Sequence, residues 1–341
     1  MTHNYRKVYI IAEAGVNHNG DVDLACQMIH VAKNAGADAV KFQTFVPELL
    51  VTADAARAQY QQVNMPDHHE SQLDMLRRVA LSRDAFLKLK RECDKAGILF
   101  LSTPFDEASA DFLEPLVPLY KISSGDAVNE LLLRHIAAKG KPMIVSTGMC
   151  TLEEVRESVG IIRQTSPEID LTLLHCTTSY PCPYDAVHLN AIALLREAMG
   201  VPVGYSDHTE GIEVSVAAVA LGASVIEKHF TLDKTLQGPD HKASLNPIQL
   251  TQLIRAIRNV ELAFGNAQKM PASSEGEVRK LVRKSLVTRY PIQAGKTIVS
   301  GDLIAKRPGT GFSPSELDAV VGRCAKTDLP ADHVLRSGDL V

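Results

Sequence analysis

The chain has 341 residues, 45% of them hydrophobic and 22% charged, with a formal net charge of −4. That balance is ordinary for a globular protein and gives no basic field for nucleic acid or an anionic membrane surface. No apolar run reaches the roughly 18 residues that a membrane span needs.

The first apolar run, KVYIIAEAG (7–15), carries Glu13 near its end. No signal-peptide cleavage pattern precedes it, so a cytoplasmic protein is expected. NHNG (17–20) turns the chain into a helix-like stretch at 21–36, with Asn19-Gly20 suited to positive φ. AVKFQTF (39–45) carries Lys41 and Gln43. Residues 46–82 then separate this run from its main helix. An insertion of that length predicts a lid or edge over a pocket.

ILFLSTPF (98–105) carries Thr103, LYKISSG (119–125) carries Lys121 and Ser124, and PMIVSTG (142–148) carries Ser146. LTLLHCTTSY (171–180) ends on Tyr180. VPVGYSDH (201–208) ends in Ser206, Asp207 and His208, and SVIEKHF (224–230) contains Glu227 and His229. GPDHKAS (238–244) follows, and the last long helix-like stretch (246–265) opens on Asn246-Pro247. That is an N-cap followed by proline at the first helical position.

The runs are nearly continuous in apolar residues, as in strands covered on both faces. The stretches between them are amphipathic, and several end at a glycine: Gly36, Gly97, Gly140, Gly200 and Gly222. Eight such units predict an α/β fold, a (β/α)8 barrel over residues 1–265. All its strand ends open on one face, where the active site is expected. Residues 266–284 read as a polar linker with a short helix. Residues 285–341 read as a small β-rich module, with turn signals every ten residues or so. A module of this size is marginal alone, so it is expected to dock on another surface.

Polar side chains at buried strand ends are costly unless something pairs with them. Adjacent strands run about 4.8 Å apart, so His208 and His229 can converge on one ion. Two imidazoles with open positions suit a catalytic divalent cation such as Mn²⁺ better than a closed structural site; a pair of hydrogen-bonded core histidines is the competing reading. Lys41 and Lys121, near the hydroxyls of Thr103, Ser124 and Ser146, suit a phosphate and a carboxylate. Salt bridges along the barrel rim, to Asp106 or Asp126, are the competing reading. Glu13 fits a general base or hydroxyl binder, or else a structural partner to a lysine. Asp240 fits sugar hydroxyls and His241 or Lys242 a charged group, or else the run is a solvated loop. The six cysteines (26, 93, 150, 176, 182 and 324) form no CxxC pair. They read as reduced thiols, with Cys150, Cys176 and Cys182 as packing residues.

In order, IAEAGVNHNGD, KFQTF, STPFD, YKISSGD, IVSTGM, HCTTSYPCP, GYSDHTEG, IEKHFTLDKTLQGPDHKAS and KRPGTGFSP cover almost the whole chain. Together they resemble the sialic acid (nonulosonic acid) synthase family. The resemblance implies a (β/α)8 barrel followed by an antiparallel module similar to type III antifreeze proteins, the SAF domain. It implies a domain-swapped homodimer in which the small domain caps the partner's site.

The implied reaction condenses phosphoenolpyruvate with an open-chain N-acylated hexosamine, adds water at C2 and releases phosphate by C–O cleavage. The resemblance assigns His208 and His229 to a divalent metal: Mn²⁺, or Mg²⁺ or Co²⁺. It assigns Lys41, Thr103, Lys121, Ser124, Ser146 and Ser206 to phosphoenolpyruvate. Gln43, Tyr180, Asp240 and Glu13 go to the sugar, with Glu13 and Glu227 as the catalytic carboxylates. Arg307, in KRPG, goes to the N-acyl group across the dimer. Thr177 and Thr178 stand in HCTTSYPCP where some members carry an Asn. The first expectation is an N-acetylneuraminate synthase acting on N-acetylmannosamine, the second a legionaminate synthase acting on a diacetamido-trideoxyhexose. A class II aldolase also combines a barrel with a metal, but makes no phosphate. A third reading, a ligand-binding module on an inert barrel, sits poorly with so many polar strand ends.

Overall fold

The computed structural model of the protein describes residues 7–57, 59–64 and 71–341. It divides into two compact units, Met1–Gly265 and Asn266–Val341.

The first unit is a barrel of eight parallel strands: β1 (Tyr9–Gly15), β2 (Ala39–Thr44), β3 (Leu99–Pro104), β4 (Tyr120–Ile122), β5 (Met143–Ser146), β6 (Leu171–Cys176), β7 (Val203–Asp207) and β8 (Val225–His229). They hydrogen-bond in the order β3-β2-β1-β8-β7-β6-β5-β4, and β3 and β4 lie side by side. Helices follow the strands, each for local reasons. Asp21 caps helix Val22–Ala35, accepting from the amides of Asp23 and Leu24, and Gly36 ends it at φ 92°. Thr151 and Glu154 form a capping box on helix Leu152–Thr165. Asn246 and Gln249 form one on helix Pro247–Ala263, which starts with its proline in the first turn.

The period-two alternation of a strand explains the polar strand ends. Ile11, Ala39, Leu101, Ile144, Leu174 and Val225 pack together as an apolar plug inside the barrel, with Leu119 against them. Two residues further along the same strands, on the same face, stand Glu13, Lys41, Thr103, Ser146, Cys176, Glu227 and Lys121. The intervening positions, such as Ile10, Ala12, Val40 and Phe100, face outward into the core shared with the helices. The apolar plug closes the barrel beneath the polar layer. Truncating a plug side chain such as Leu101 to Ala should cost about 2–5 kcal/mol.

The 46–82 insertion contains helices Pro47–Leu50, Gln59–Asn64 and Gln72–Val79. Met75, Leu76 and Val79 pack with Val16 and Phe45, with Leu50, Val51 and Phe105 against them. The lid is therefore fastened by its own small core to the ends of the first three strands.

The second unit has its own core of Leu286, Ile292, Ile298, Leu303, Val320, Leu335 and neighbours. Its antiparallel pair is β9 (Ser285–Thr288) with β10 (Leu303–Lys306). Isolated bridges such as Ile292 with Leu329 and Val287 with Val334 tie the remaining turns together. Helix Gly276–Val282 precedes β9 and leaves Val278, Leu281 and Val282 exposed.

Candidate active site

A cavity of about 400 Å³ opens at the C-terminal ends of the strands, under the lid. Its walls include Glu13, Lys41, Gln43, Thr103, Lys121, Ser124 and Ser146. They also include Tyr180, Ser206, His208, Glu227, His229 and Asp240. Thus every residue to which the resemblance gives a role reaches this one space except Arg307, while His241 and Lys242 do not line it. Arg307 follows β10 in the second unit and is exposed.

The lysines do not pair with the rim aspartates. Asp106 accepts from Ser109 and from the Val46 amide, and Asp126 from Ser123 and Asn129. Instead Lys41 Nζ lies 2.8 Å from Glu13 Oε2 and 3.8 Å from Glu227 Oε2, and donates to Thr103 Oγ1 at 2.9 Å. Lys121 Nζ lies 3.4 Å from Glu227 Oε1 and donates to Ser146 Oγ at 2.8 Å. Ser206 also donates to Glu227 Oε1, at 3.2 Å, and Gln43 Nε2 to Glu13 Oε1, at 3.3 Å. The competing reading, rim ion pairs, is therefore replaced by contacts inside the barrel. Glu227 stands near both ammonium groups because β8 lies two strands from β2, past β1, and opposite β4 across the interior.

Electrostatics separate the two carboxylates. Burial pushes Glu13 up to about 7, with Lys41 pulling the other way. Burial acts on Glu227 as well, but Lys121 and Lys41 overcome it and draw it down to about 2. Two nearby carboxyls driven apart in this way are suited to different acid–base roles. Lys41 is held above its ordinary value: burial opposes its charge, but Glu13 and Glu227 outweigh that. Lys121 moves down, chiefly through burial. Asp240, buried in the loop after β8, is pushed up to about 6 by that burial. The GPDH segment is therefore packed rather than solvated, with His241 donating or accepting at Thr231 and only Lys242 exposed.

The rings of His208 and His229 lie 5.7 Å apart, and Tyr180 stands 4.1 Å from His208 and 5.9 Å from His229. His208 Nδ1 is 2.8 Å from the Thr177 carbonyl. That contact needs a proton on Nδ1 and in the neutral ring leaves the Nε2 lone pair available; burial lowers His208, but Cys176 and the Thr177 carbonyl outweigh it and hold the ring above its ordinary value. Burial drives His229 far down, so its ring is neutral, the form that ligates metals. Its Nδ1 is buried without a hydrogen-bond partner, as are Glu227 Oε2 and Asp240 Oδ1. These orphaned acceptors fit a divalent cation. Among the described residues, no group of three or more His, Cys, Asp or Glu side chains is disposed to hold a metal. Water or substrate oxygens would have to complete the coordination of two imidazoles.

Some cavity residues were not read from the sequence as functional. Cys176 is not mere packing: it lines the cavity with Sγ 3.7 Å from His208 Nδ1. Burial raises its thiol, but His208 outweighs burial and the net shift is downward. Counting two residues on from the plug residue Leu174 would have found it. Of the two threonines, Thr178 lines the cavity, while Thr177 donates to the Ala186 carbonyl. Gly148 donates its amide to Ser124 Oγ at 3.0 Å. A Cβ on Gly148 would fall 2.3 Å from Thr178 Oγ1 and 2.8 Å from Ser124 Oγ, so a side chain there would displace both hydroxyls. Lid residues Leu50, Val51, Met75, Leu76 and Val79 form an apolar side of the cavity, with Gln61 and Gln72 beside them.

Comparison with known proteins gives consistent matches. The sequence pattern of the NeuB family matches residues 28–269, and that of the SAF domain matches residues 283–341. An N,N'-diacetyllegionaminic acid synthase of Legionella pneumophila is 46% identical, over 96% of this chain and 93% of the relative. A second protein of that name, from Campylobacter jejuni, is 44% identical, over 97% of this chain and 99% of the relative. A crystal structure of an N-acetylneuraminic acid (sialic acid) synthetase from Leptospira borgpetersenii superposes with a TM-score of 0.69 at 35% identity. That match covers 80% of this chain and 90% of the other.

Proposed function

The chain belongs to the NeuB family, and from that premise we propose that it is a nonulosonic acid synthase condensing phosphoenolpyruvate with an N-acylated amino sugar. The observation that carries this reading is the buried Lys41–Glu227–Lys121 group. It sets two ammonium groups among hydroxyls, next to a pair of imidazoles, in one cavity. An aldolase working on pyruvate has no phosphate for such a cluster to hold.

The acceptor we propose is 2,4-diacetamido-2,4,6-trideoxymannose, which gives legionaminate; N-acetylmannosamine is the alternative. The legionaminic acid synthases at 46% and 44% identity favour this choice over the sialic acid synthetase at 35%. The apolar lid side of the cavity supports it too. A 6-deoxy sugar with a second acetamido group presents two methyl groups where N-acetylmannosamine presents hydroxyls. Burying each methyl in place of a hydroxyl favours such a wall by roughly 1 kcal/mol.

In the reaction, C3 of phosphoenolpyruvate attacks the sugar aldehyde carbon, water adds at C2, and phosphate leaves with the bridging oxygen. Lys41 and Lys121 would neutralise the phosphate and carboxylate of phosphoenolpyruvate. Hydroxyls of Thr103, Ser124, Ser146 and Ser206 would orient them and offset charge as it develops. Fixing both substrates in one cavity converts an encounter into a local step. Gln43, Tyr180 and Asp240 would bind the sugar. Glu13, poised near neutrality, would exchange a proton with a sugar hydroxyl, and Glu227 with the attacking water. His208 and His229 would hold a divalent cation, Mn²⁺ or else Mg²⁺ or Co²⁺. Such a cation supplies Lewis acidity toward the aldehyde oxygen. Arg307 of a partner subunit would reach the N-acyl group in a domain-swapped cytoplasmic homodimer.

The test is a panel of both acceptors with phosphoenolpyruvate and Mn²⁺, read by product mass and by kcat/KM. Turnover of the diacetamido sugar at higher kcat/KM supports the choice of acceptor. A preference for N-acetylmannosamine reverses it but keeps the reaction. No product from either sugar removes the reading.

A further inference from the structure

Directly behind the two imidazoles lies a second polar cluster that takes no part in the chemistry above. Asp207 and Lys228 are cross-strand partners on β7 and β8, and each immediately precedes a candidate ligand, His208 or His229. Alternation turns Asp207 and Lys228 away from the cavity, while Ser206, His208, Glu227 and His229 line it. Lys228 Nζ lies 2.8 Å from Asp207 Oδ2, with side chains 2% and 0% exposed.

The contacts close around residue 208. Asp207 Oδ1 accepts from the Thr209 amide and the Thr209 hydroxyl, both at 2.8 Å, and from Tyr205 at 3.3 Å. Its Oδ2 accepts from Ser215 at 2.5 Å. Lys228 Nζ donates in addition to the Thr209 carbonyl at 2.7 Å. Thus Asp207, before His208, and the carbonyl of Thr209, after it, are tied to Lys228 on the strand that carries His229, while the Thr209 amide is tied to Asp207. On the other side, the His208 carbonyl accepts the Cys182 amide at 2.8 Å.

A buried ion pair is a poor way to gain stability, because apolar groups of similar size often do as well. What an apolar pair cannot do is bind the amide and the carbonyl of Thr209 at fixed distances. We infer that Asp207 and Lys228 form a positioning clasp that fixes the spacing of the His208 and His229 imidazoles and thereby sets the affinity for a divalent cation. This rests on the reading of those histidines as cation ligands. Positioning groups behind metal ligands typically change affinity by 10–100-fold when altered.

The experiment is calorimetric titration of metal-free full-length protein with Mn²⁺, alongside phosphoenolpyruvate binding in the presence of chelator. Asp207→Asn and Lys228→Met should each weaken Mn²⁺ binding tenfold or more and leave phosphoenolpyruvate binding within about twofold. Ile257→Ala truncates the core on the outer helix and gives a comparably destabilised protein that should keep its Mn²⁺ affinity. Thr209→Val, of the same shape, removes a single strut and should cause a smaller loss in the same direction. It carries the test alone should the other two fail to fold. Unchanged Mn²⁺ affinity in the clasp variants, or an equal loss in Ile257→Ala, overturns the inference. Wild-type protein that binds no divalent cation overturns the metal reading itself, and the inference with it.

Discussion

Lys41 Nζ lies 2.8 Å from Glu13 Oε2, at directly paired positions of β1 and β2, yet the carboxyl is pushed up to about 7. Burial outweighs even an adjacent ammonium. The carboxyl therefore gains its charge across the neutral range, where a proton acceptor is most useful. We expect kcat/KM to rise with pH through about 7 in the wild type. Glu13→Gln should flatten that limb and lower kcat by roughly 10²–10⁴-fold. A pH profile in Glu13→Gln that keeps the wild-type limb would assign it to another group.

Lys41→Met and Lys121→Met keep the apolar stem and remove the charge. Each should weaken phosphoenolpyruvate binding by about 1.5–3 kcal/mol, the range for hydrogen bonds to charged groups. Each also strands buried carboxylates, so melting temperatures should fall in both. Lower melting temperature with unchanged phosphoenolpyruvate affinity, measured by calorimetry, would reduce the lysines to a structural role.

Asp240 gives a stability test with a definite sign. Its folded value is raised from 3.8 to about 6 by burial. The folded state therefore binds a proton more tightly than the unfolded chain. Its contribution is complete below about pH 4 and is lost as pH rises through about 6. At pH 7.5 the buried carboxylate costs on the order of 2–3 kcal/mol. Asp240→Asn should accordingly raise the melting temperature at pH 7.5 and leave it nearly unchanged at pH 4. Equal effects at both pH values would show that the carboxyl is not held up by burial.

Arg307 is tested by complementation. Arg307→Ala should weaken binding of the amino sugar more than that of phosphoenolpyruvate. Inactive His208→Ala and inactive Arg307→Ala proteins, mixed under conditions of confirmed subunit exchange, should regain activity. A mixed dimer would then hold one site with both residues intact. Exchange without activity would place Arg307 outside the partner's site.

The barrel was legible because its strands are apolar runs broken by polar residues at a fixed end. The apolar plug at Ile11, Leu101 and Leu174 keeps strict alternation with the polar layer above it. That regularity placed Glu13, Lys41 and Thr103 in one cavity before any contact was known. The partners of the lysines were not legible, since Glu227 reaches Lys41 and Lys121 only when the barrel closes, with β8 two strands from β2 and opposite β4. Gly148 escaped for a related reason: what crowds a side chain there is Thr178, thirty residues away in the chain. Cys176 escaped because a thiol between apolar neighbours reads as packing, and only the His208 ring beside it changes its character. The lid was visible as an excess of length, but its apolar wall depends on which faces of short helices turn inward.

The most direct measurement of the central claim uses phosphoenolpyruvate labelled with ¹⁸O at the bridging oxygen, with the acceptor sugar and Mn²⁺. The account predicts one phosphate per sugar acid formed, with the label in the phosphate, because the C–O bond breaks after water has added at C2. Unlabelled phosphate, or a sugar acid formed from pyruvate with no phosphate released, would contradict it.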